Sequence, residues 1–499
     1  MPFKDLDEVF HIYAFIGSGT YGDVYEVSNK KTKESYAIKI SYLVNDSFIN
    51  PINLREIANI LKFSHHNIIK YYDVDYGLFK GKKCIYILLE LCDYALFNGL
   101  HIKHNINDLF DAISYLHDNN YYHGDLSFSN VLVSKNTLKL IDFGTTRRTY
   151  RPYDSEMPPT LIVRPIELFD APSNNSNING KKMDYWSLGC IMYKLLTNEY
   201  IIDPCQPNNI NINSIKQKCK GIHKNSKING RQKEQLVGLL DVNYRKRKLQ
   251  YKNRKNYMHA TTDNHFVKLK QNSLFSSIDD SIKINIVLFL NNVIKSNNLE
   301  EELLFLTINN AKKISIRQNK KNGDKVVTYK YLILFWLANH MISLNIISFD
   351  DLKKMLNHFD LPLCQFNDLY FSVIKELNWD IDQDILYNYI GYFEDTMKIY
   401  YKGLILFLEL SNYNKHKITD TFFAIYNLFK KNHHFCSVKI EEMINNYKFP
   451  IINSKTEIIT HIKKVMDNSE YHELNQFIKY YFNADNMFHI YVWITNLEL

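Results

Sequence analysis

The sequence predicts an α+β chain in which a small sheet-rich lobe precedes a larger helical one, with a separate all-α region after them. Three observations carry that prediction. From Tyr13 to Ile40 apolar and polar residues alternate around glycines, as in Val24-Tyr25-Glu26-Val27 and Tyr36-Ala37-Ile38-Lys39-Ile40, which is the period of antiparallel strands. Beyond Asn105 the apolar spacing turns helical. Between Arg245 and Ser281 the composition shifts to Lys, Arg and Asn with few apolar residues, which marks a domain end and a linker.

In chain order, the strands give way to helical spacing from Leu54 to Phe63 and to a strand from Ile85 to Leu91. The Asn-, Lys- and Ser-rich residues 206–232 read as loop. After the linker, Ile282, Ile286, Phe289, Leu290 and Val293 share one helical face that calls for burial. A chain of 499 residues is too long for one ordinary domain and suits two or three.

Charge and cysteine usage exclude several function classes. The 61 Lys+Arg against 53 Asp+Glu leave a mild +8, dispersed along the chain, so nucleic acid is not an expected partner. Seven cysteines without a Cys-x-x-Cys pair fit reduced thiols in a cytoplasmic or nuclear compartment. No secretion signal opens the sequence, and apolar stretches such as Leu332 to Ala338 fall short of the roughly 20 residues that cross a bilayer. A soluble intracellular protein is expected, with no membrane partner. Few glycines, many tyrosines and abundant Asn, Lys and Ile look like translation of an A/T-rich genome; with the compact fused architecture read below, that suggests a large DNA virus or a parasitic eukaryote.

The residues that bear chemistry form an ordered series. Gly17-Ser18-Gly19-Thr20-Tyr21-Gly22-Asp23-Val24 is a glycine loop between two strands, where backbone N–H groups can approach phosphate oxygens. A dinucleotide-binding loop would enter a helix; here another strand follows. Lys39 lies on that next strand and Glu56 on the helix after it, placed for an ion pair that holds Lys39 against phosphates. His123-Gly124-Asp125-Leu126 follows, with Asn130 five residues after Asp125, and then Leu140-Ile141-Asp142-Phe143-Gly144.

With these five elements in order, the sequence resembles the eukaryotic protein kinase family over about residues 10–250. Glu167 resembles the glutamate of the family's Ala-Pro-Glu motif, with Arg245 as its expected buried partner. Asp184-Tyr185-Trp186-Ser187 resembles the Asp-x-Trp-Ser segment whose aspartate braces the catalytic loop. The resemblance implies a bilobal fold with a kinase domain at 10–265, its N-lobe an antiparallel sheet plus one helix over about 10–92 and its C-lobe over about 93–265. It implies ATP and Mg²⁺ as cofactors, a protein substrate and transfer of phosphate to Ser or Thr. Asp125 would accept the substrate proton, and Asn130 and Asp142 would hold the metal. Lys39 and the loop Ile16, Gly17, Ser18, Gly19, Thr20, Tyr21 and Gly22 would position the phosphates. Val24, Ala37 and Leu132 would sandwich the adenine, and the backbone from Glu90 to Cys92 would read its edge.

Two positions depart from the family. Gly124 stands where an arginine is usual, and Ser127 where Ser/Thr kinases place a lysine, so a slow enzyme or an inactive pseudokinase scaffold is the alternative reading. Asn53-Leu54-Arg55-Glu56-Ile57 resembles the Arg-Glu-Ile helix of cyclin-dependent kinases. Within that likeness, Thr20 and Tyr21 match an inhibitory phosphorylation pair, and Ser155 matches an activating site read by Arg55 and Arg147, Gly124 being the missing third arginine. The segment Leu161-Ile162-Val163-Arg164 departs from the proline-directed pocket of that group.

The second half resembles a cyclin box over 281–395, after a linker at 266–280. Ile284 to Val293 resembles its first helix, Leu304 to Asn310 its second, Tyr331 to Ala338 its buried third and Ile374 to Asp380 its fifth. A cyclin's kinase-contacting lysine and glutamate would fall at His340 and Tyr370, which lack that chemistry. Residues 396–499 would form a divergent second box or a helical cap. The resemblance implies an activator fused to its kinase and pressing on the Glu56 helix, or one that docks on another kinase; a separate cyclin is the other expected partner. Cys205, Cys219 and His223, or His433, His434 and Cys436, lack a four-ligand metal pattern.

Overall fold

The computed structural model describes residues 3–19, 22–45, 47–99, 105–149, 158–170, 179–204, 210–251, 280–314, 323–343 and 346–381, together with Tyr401, Lys402, Ile405 and Thr460. The chain divides into two compact units, residues 1–262 and 263–499. The expected linker at 266–280 lies outside the described residues except for its last position.

The first unit opens with β1 (Lys4–Asp5), a one-turn helix α1 (Leu6–Val9), and the strands β2 (Phe10–Gly19), β3 (Gly22–Asn29) and β4 (Ser35–Tyr42). Helix α2 (Pro51–Ile60) and strands β5 (Tyr71–Phe79) and β6 (Lys82–Leu89) complete a sheet of order β1-β5-β6-β4-β3-β2. All its pairs are antiparallel except β1 on β5, where Lys4 faces Gly77. The expectation of a purely antiparallel sheet with one helix is corrected there. Leu6 and Phe10 are buried on the sheet face formed by Val27, Ile38 and Phe79, which draws the N-terminal segment onto the edge. Gly77 permits the approach, since a Cβ there would lie 2.8 Å from the Lys4 carbonyl oxygen. Two residues are too few to show a period, so β1 was not legible.

Helix α2 begins where Asn50 accepts the Ile52 N–H at 2.9 Å and Pro51 occupies the first helical position. It starts three residues before the expected Leu54.

The helical lobe adds β7 (Tyr94–Ala95), α3 (Asn107–Asp118), β8 (Tyr121–Tyr122), β9 (Val131–Ser134), β10 (Thr137–Leu140), β11 (Arg147–Arg148), α4 (Glu167–Asp170), α5 (Gly180–Thr197), α6 (Ile212–Gly221) and α7 (Gly230–Leu239). Helix α5 is its core, burying Trp186, Leu188, Ile191 and Met192 against α3 and α7. The reading of 206–232 as loop is corrected by α6 and the start of α7. Asn211 and Asn229, taken as loop composition, are the N-caps of these helices, and Ile215, Cys219 and Ile222 bury at helical spacing.

The second unit contains α8 (Asp280–Ser296), α9 (Glu302–Ala311), α10 (Gly323–Ile342), α11 (Phe349–His358) and α12 (Leu363–Glu376). The third of these, α10, packs against the other four and is enclosed from Tyr331 to Ala338. The buried face of α8 is Ile286, Val287, Leu290 and Ile294, turned from the expected one; Phe289 is half-buried and stacks on His358 at 4.5 Å. The expected helix from Ile374 to Asp380 ends at Glu376, and Asn378 and Trp379 turn the chain at φ of 51° and 62°. Two polar pairs are enclosed here: Asn310 donates to the Ile381 carbonyl at 2.9 Å, and Lys330 meets Glu376 at 3.1 Å. His340 and Tyr370 are both buried. Tyr401 and Ile405 are also buried, and Lys402 pairs with Glu301, so this part of 396–499 packs on the helical unit.

Candidate active site

Strand β4 holds Lys39 between Val24 of β3 and Ile87 of β6. Its Nζ donates to Glu56 Oε2 at 2.6 Å, with both side chains nearly enclosed. Burial alone would push the Lys39 ammonium down, but the Glu56 carboxylate and then Asp142 outweigh it and hold the lysine above its ordinary range. Burial raises the Glu56 carboxyl, Lys39 opposing and Asp142 adding. The direction that governs the contact is that of Lys39, because a donor 2.6 Å from a carboxylate oxygen is a charge-assisted pair.

The glycine loop is a hairpin in which Gly17 pairs with Val24, Ser18 with Asp23 and Gly19 with Gly22. Ser18 donates its hydroxyl to Asp23 across it at 2.8 Å. Thr20 and Tyr21 at its tip lie outside the described residues, as does Ser155. Ile16 is exposed, and Ala37 and the partly buried Leu132 belong to the sheet of the first lobe and to β9 of the second.

The segment from Glu90 to Asp93 joins the lobes and is stitched to the β9–β10 hairpin. Glu90 accepts from Ser134 Oγ at 3.0 Å and from Lys139 Nζ at 3.2 Å, and its N–H donates to the Lys70 carbonyl. Asp93 donates to the Val133 carbonyl and accepts the Lys135 N–H. Burial pushes the Cys92 thiol up to about 12, with Glu90 adding to it, so Cys92 is a packing residue and no nucleophile.

Asp125 and Asn130 are brought together. Asn130 Nδ2 donates to the Asp125 carbonyl at 2.9 Å and to its carboxylate at 3.1 Å. The other carboxylate oxygen accepts from the Thr160 N–H and hydroxyl, both at 2.8 Å. Sequence reading gave Thr160 no role; nothing local marks it, since its partner lies 35 residues away.

The loop beneath Asp125 hangs on Asp184, which accepts from the backbone N–H groups of His123 at 2.8 Å and Gly124 at 3.0 Å and contacts His117 Nε2 at 2.8 Å. This is the bracing expected of Asp184. Asp142 has φ of 64° and accepts the Gly144 N–H at 3.3 Å, while Phe143 is buried against Phe63 and His123.

Gly124 has a backbone reason to be glycine: its φ is 86°, and a Cβ would lie 2.9 Å from the Thr145 carbonyl oxygen. Ser127 is buried and bonds Ser129 at 2.9 Å, so it puts no charge into the cleft. The expected partnership of Glu167 with Arg245 is corrected. Arg247 makes it, at 2.7 and 2.6 Å, fully buried over Trp186, whereas Arg245 is surface-bound to Tyr244. Two residues of register within one short basic run decided it.

Donor chemistry fits a divalent cation. Asn130 turns its amide nitrogen to Asp125, so its amide oxygen would be the atom to meet a cation beside the Asp142 carboxylate, and hard oxygens of this kind suit Mg²⁺. Among the described residues no group of three or more His, Cys, Asp or Glu side chains is placed to hold a metal ion.

This arrangement coincides with a family match: the protein kinase domain model covers residues 10–260. The chain belongs to the protein kinase family. Its kinase domain is that of a protein Ser/Thr kinase, as in the relatives it matches. A serine/threonine-protein kinase of Acanthamoeba polyphaga mimivirus is 31% identical over 198 residues, 37% of this chain and 30% of that protein. A probable cell division protein kinase of Encephalitozoon cuniculi is 38% identical over 192 residues, 37% of this chain and 71% of that protein. Human cyclin-dependent kinase 9 is 28% identical over 222 residues, 40% of this chain and 59% of that protein. The chain therefore spans less than two thirds of the mimivirus and human relatives. The matched range includes Lys39, Glu56, Asp125, Asn130 and Asp142.

Proposed function

We propose that this chain is an ATP-dependent Ser/Thr protein kinase of cyclin-dependent-kinase-like type that moves the γ-phosphate of MgATP to protein hydroxyls. The observation that carries this reading is the closed Lys39–Glu56 pair in a chain that also holds Asn130 against Asp125. Asp125 orients the substrate hydroxyl and takes its proton as the oxygen attacks the γ-phosphorus and the bond to the β–γ bridging oxygen breaks, releasing ADP; Lys39 and the glycine-loop amides hold the phosphates in line. When bound by Asn130 and Asp142, Mg²⁺ supplies positive charge to the phosphate oxygens.

The helical unit is read as a cyclin-box-like module that acts on α2, either in its own chain or on another kinase. Its central third helix and the cyclin-dependent kinases among the relatives support this reading. Reduced thiols at Cys84, Cys92, Cys190, Cys219 and Cys364 support a cytoplasmic or nuclear location, and the mimivirus relative supports a large DNA virus as source.

A second reading, a weak or inactive scaffold, draws on Ser127, whose buried hydroxyl replaces a cation near the transferring phosphate. Incorporation of radiolabelled phosphate from ATP by wild type, but not by Asp142→Asn, separates the two. A folded wild type that incorporates none sinks the enzyme reading.

A further inference from the structure

Helix α2 buries four polar side chains, Asn53, Arg55, Glu56 and Asn59, and the last of these reaches the chain after Asp142. Asn59 is buried and donates both hydrogens of its amide nitrogen to backbone carbonyls of one turn, Phe143 at 3.0 Å and Thr146 at 3.0 Å. A buried amide is costly unless satisfied, and an apolar residue would fill a helix face at this depth without that cost. Here the amide spans the two ends of the turn that follows Asp142, whose own closing bond runs from the Thr146 N–H to the Phe143 carbonyl.

Asn59 lies three residues after Glu56, so the two project from the same face of α2. The turn meets the helix again at its first turn, where Gly144 sits so close to Ile52 that a Cβ would lie 2.7 Å from the Ile52 Cγ2. Helix and turn are hydrogen-bonded at Asn59 and closely packed at Ile52.

We propose that Asn59 is a positioning residue for phosphoryl transfer: its amide latches the helix that bears Glu56 to the turn that bears Asp142, so the ion pair and the metal-binding carboxylate are set as one unit. The latch rests on the kinase reading for its purpose and on geometry alone for its existence. It touches no substrate atom and acts through Glu56 and Asp142. Its consequence is that any partner that moves α2, including the helical unit, moves the Asp142 turn with it.

The test uses the full chain with Asn59→Leu, which keeps a similar volume and removes both donors. Hydrogen exchange of residues 51–60 and 143–149 is followed by mass spectrometry, beside kcat and the KM values for ATP and for a protein substrate. Exchange in both segments rises together by about tenfold, the size expected when hydrogen bonds to buried carbonyls are lost. In parallel kcat falls about tenfold while KM for the protein substrate is unchanged, which a loss of packing alone would not produce. Unchanged exchange at 143–149 in a folded variant, or a rise confined to α2, overturns the latch. If the leucine variant does not fold, Asn59→Ser, too short to span both carbonyls, carries the same readouts. A wild type that transfers no phosphate defeats the kinase reading, and the exchange data still decide whether helix and turn are coupled.

Discussion

Arg247 and Glu167 meet through two parallel hydrogen bonds, 2.7 and 2.6 Å long, with the guanidinium fully buried 4.5 Å above the Trp186 ring. Its Nε donates to the Asp241 carbonyl and its Nη1 also reaches the Lys182 carbonyl, so one side chain joins α4, α5 and the loop after α7. Removing one member of a buried pair strands the other charge and costs about 3 to 5 kcal/mol. Arg247→Ala is expected to lower stability by that amount in urea unfolding of the kinase unit. Arg245→Ala, two residues earlier and exposed, leaves the midpoint unchanged. A reversed ranking would restore the sequence-based pairing.

That example marks what sequence carries and what it drops. The order of Lys39, Glu56, Asp125, Asn130 and Asp142 was legible because each belongs to a short local pattern whose residue types are dictated by phosphate and metal chemistry. The sheet and α2 were legible by period. Arg247, Thr160 and Asn59 were not, since each gains its role from a partner 35 to 87 residues away and nothing in its own neighbourhood distinguishes it. The second unit was legible as helices, but the burial of α8 was misplaced by part of a turn, because apolar residues on either side of a helical stripe look alike until a neighbour selects one.

Gly124 occupies the place of a usual arginine, and restoring that arginine looks, from sequence, like a repair. The backbone predicts the opposite. At φ of 86°, with the Thr145 carbonyl oxygen 2.9 Å from a virtual Cβ, any side chain must push the chain after Asp142 away from the catalytic loop. A non-glycine residue held in such a region costs about 1 to 3 kcal/mol. Gly124→Ala and Gly124→Arg are both expected to lower the thermal midpoint and to reduce phosphate transfer, the arginine at least as much as the alanine. Higher activity in Gly124→Arg would show that lost charge, not backbone geometry, governs this position.

The Lys39–Glu56 pair has a pH signature whose sign follows from the raised lysine. The folded chain binds the Lys39 proton more tightly than the unfolded chain does, because Glu56 and Asp142 together overcome the burial that opposes it. Its contribution to stability is fully present below the ordinary lysine value of about 10.4 and is lost only as pH rises through the higher folded value. Thermal midpoints of wild type and Glu56→Gln should therefore still differ in weak alkali, up to about pH 9, and converge only in stronger alkali, where the lysine gives up its proton. Convergence already near neutrality would mean that Lys39 is neutral in the folded kinase. The phosphates would then lack the cation that β4 and α2 jointly hold in place.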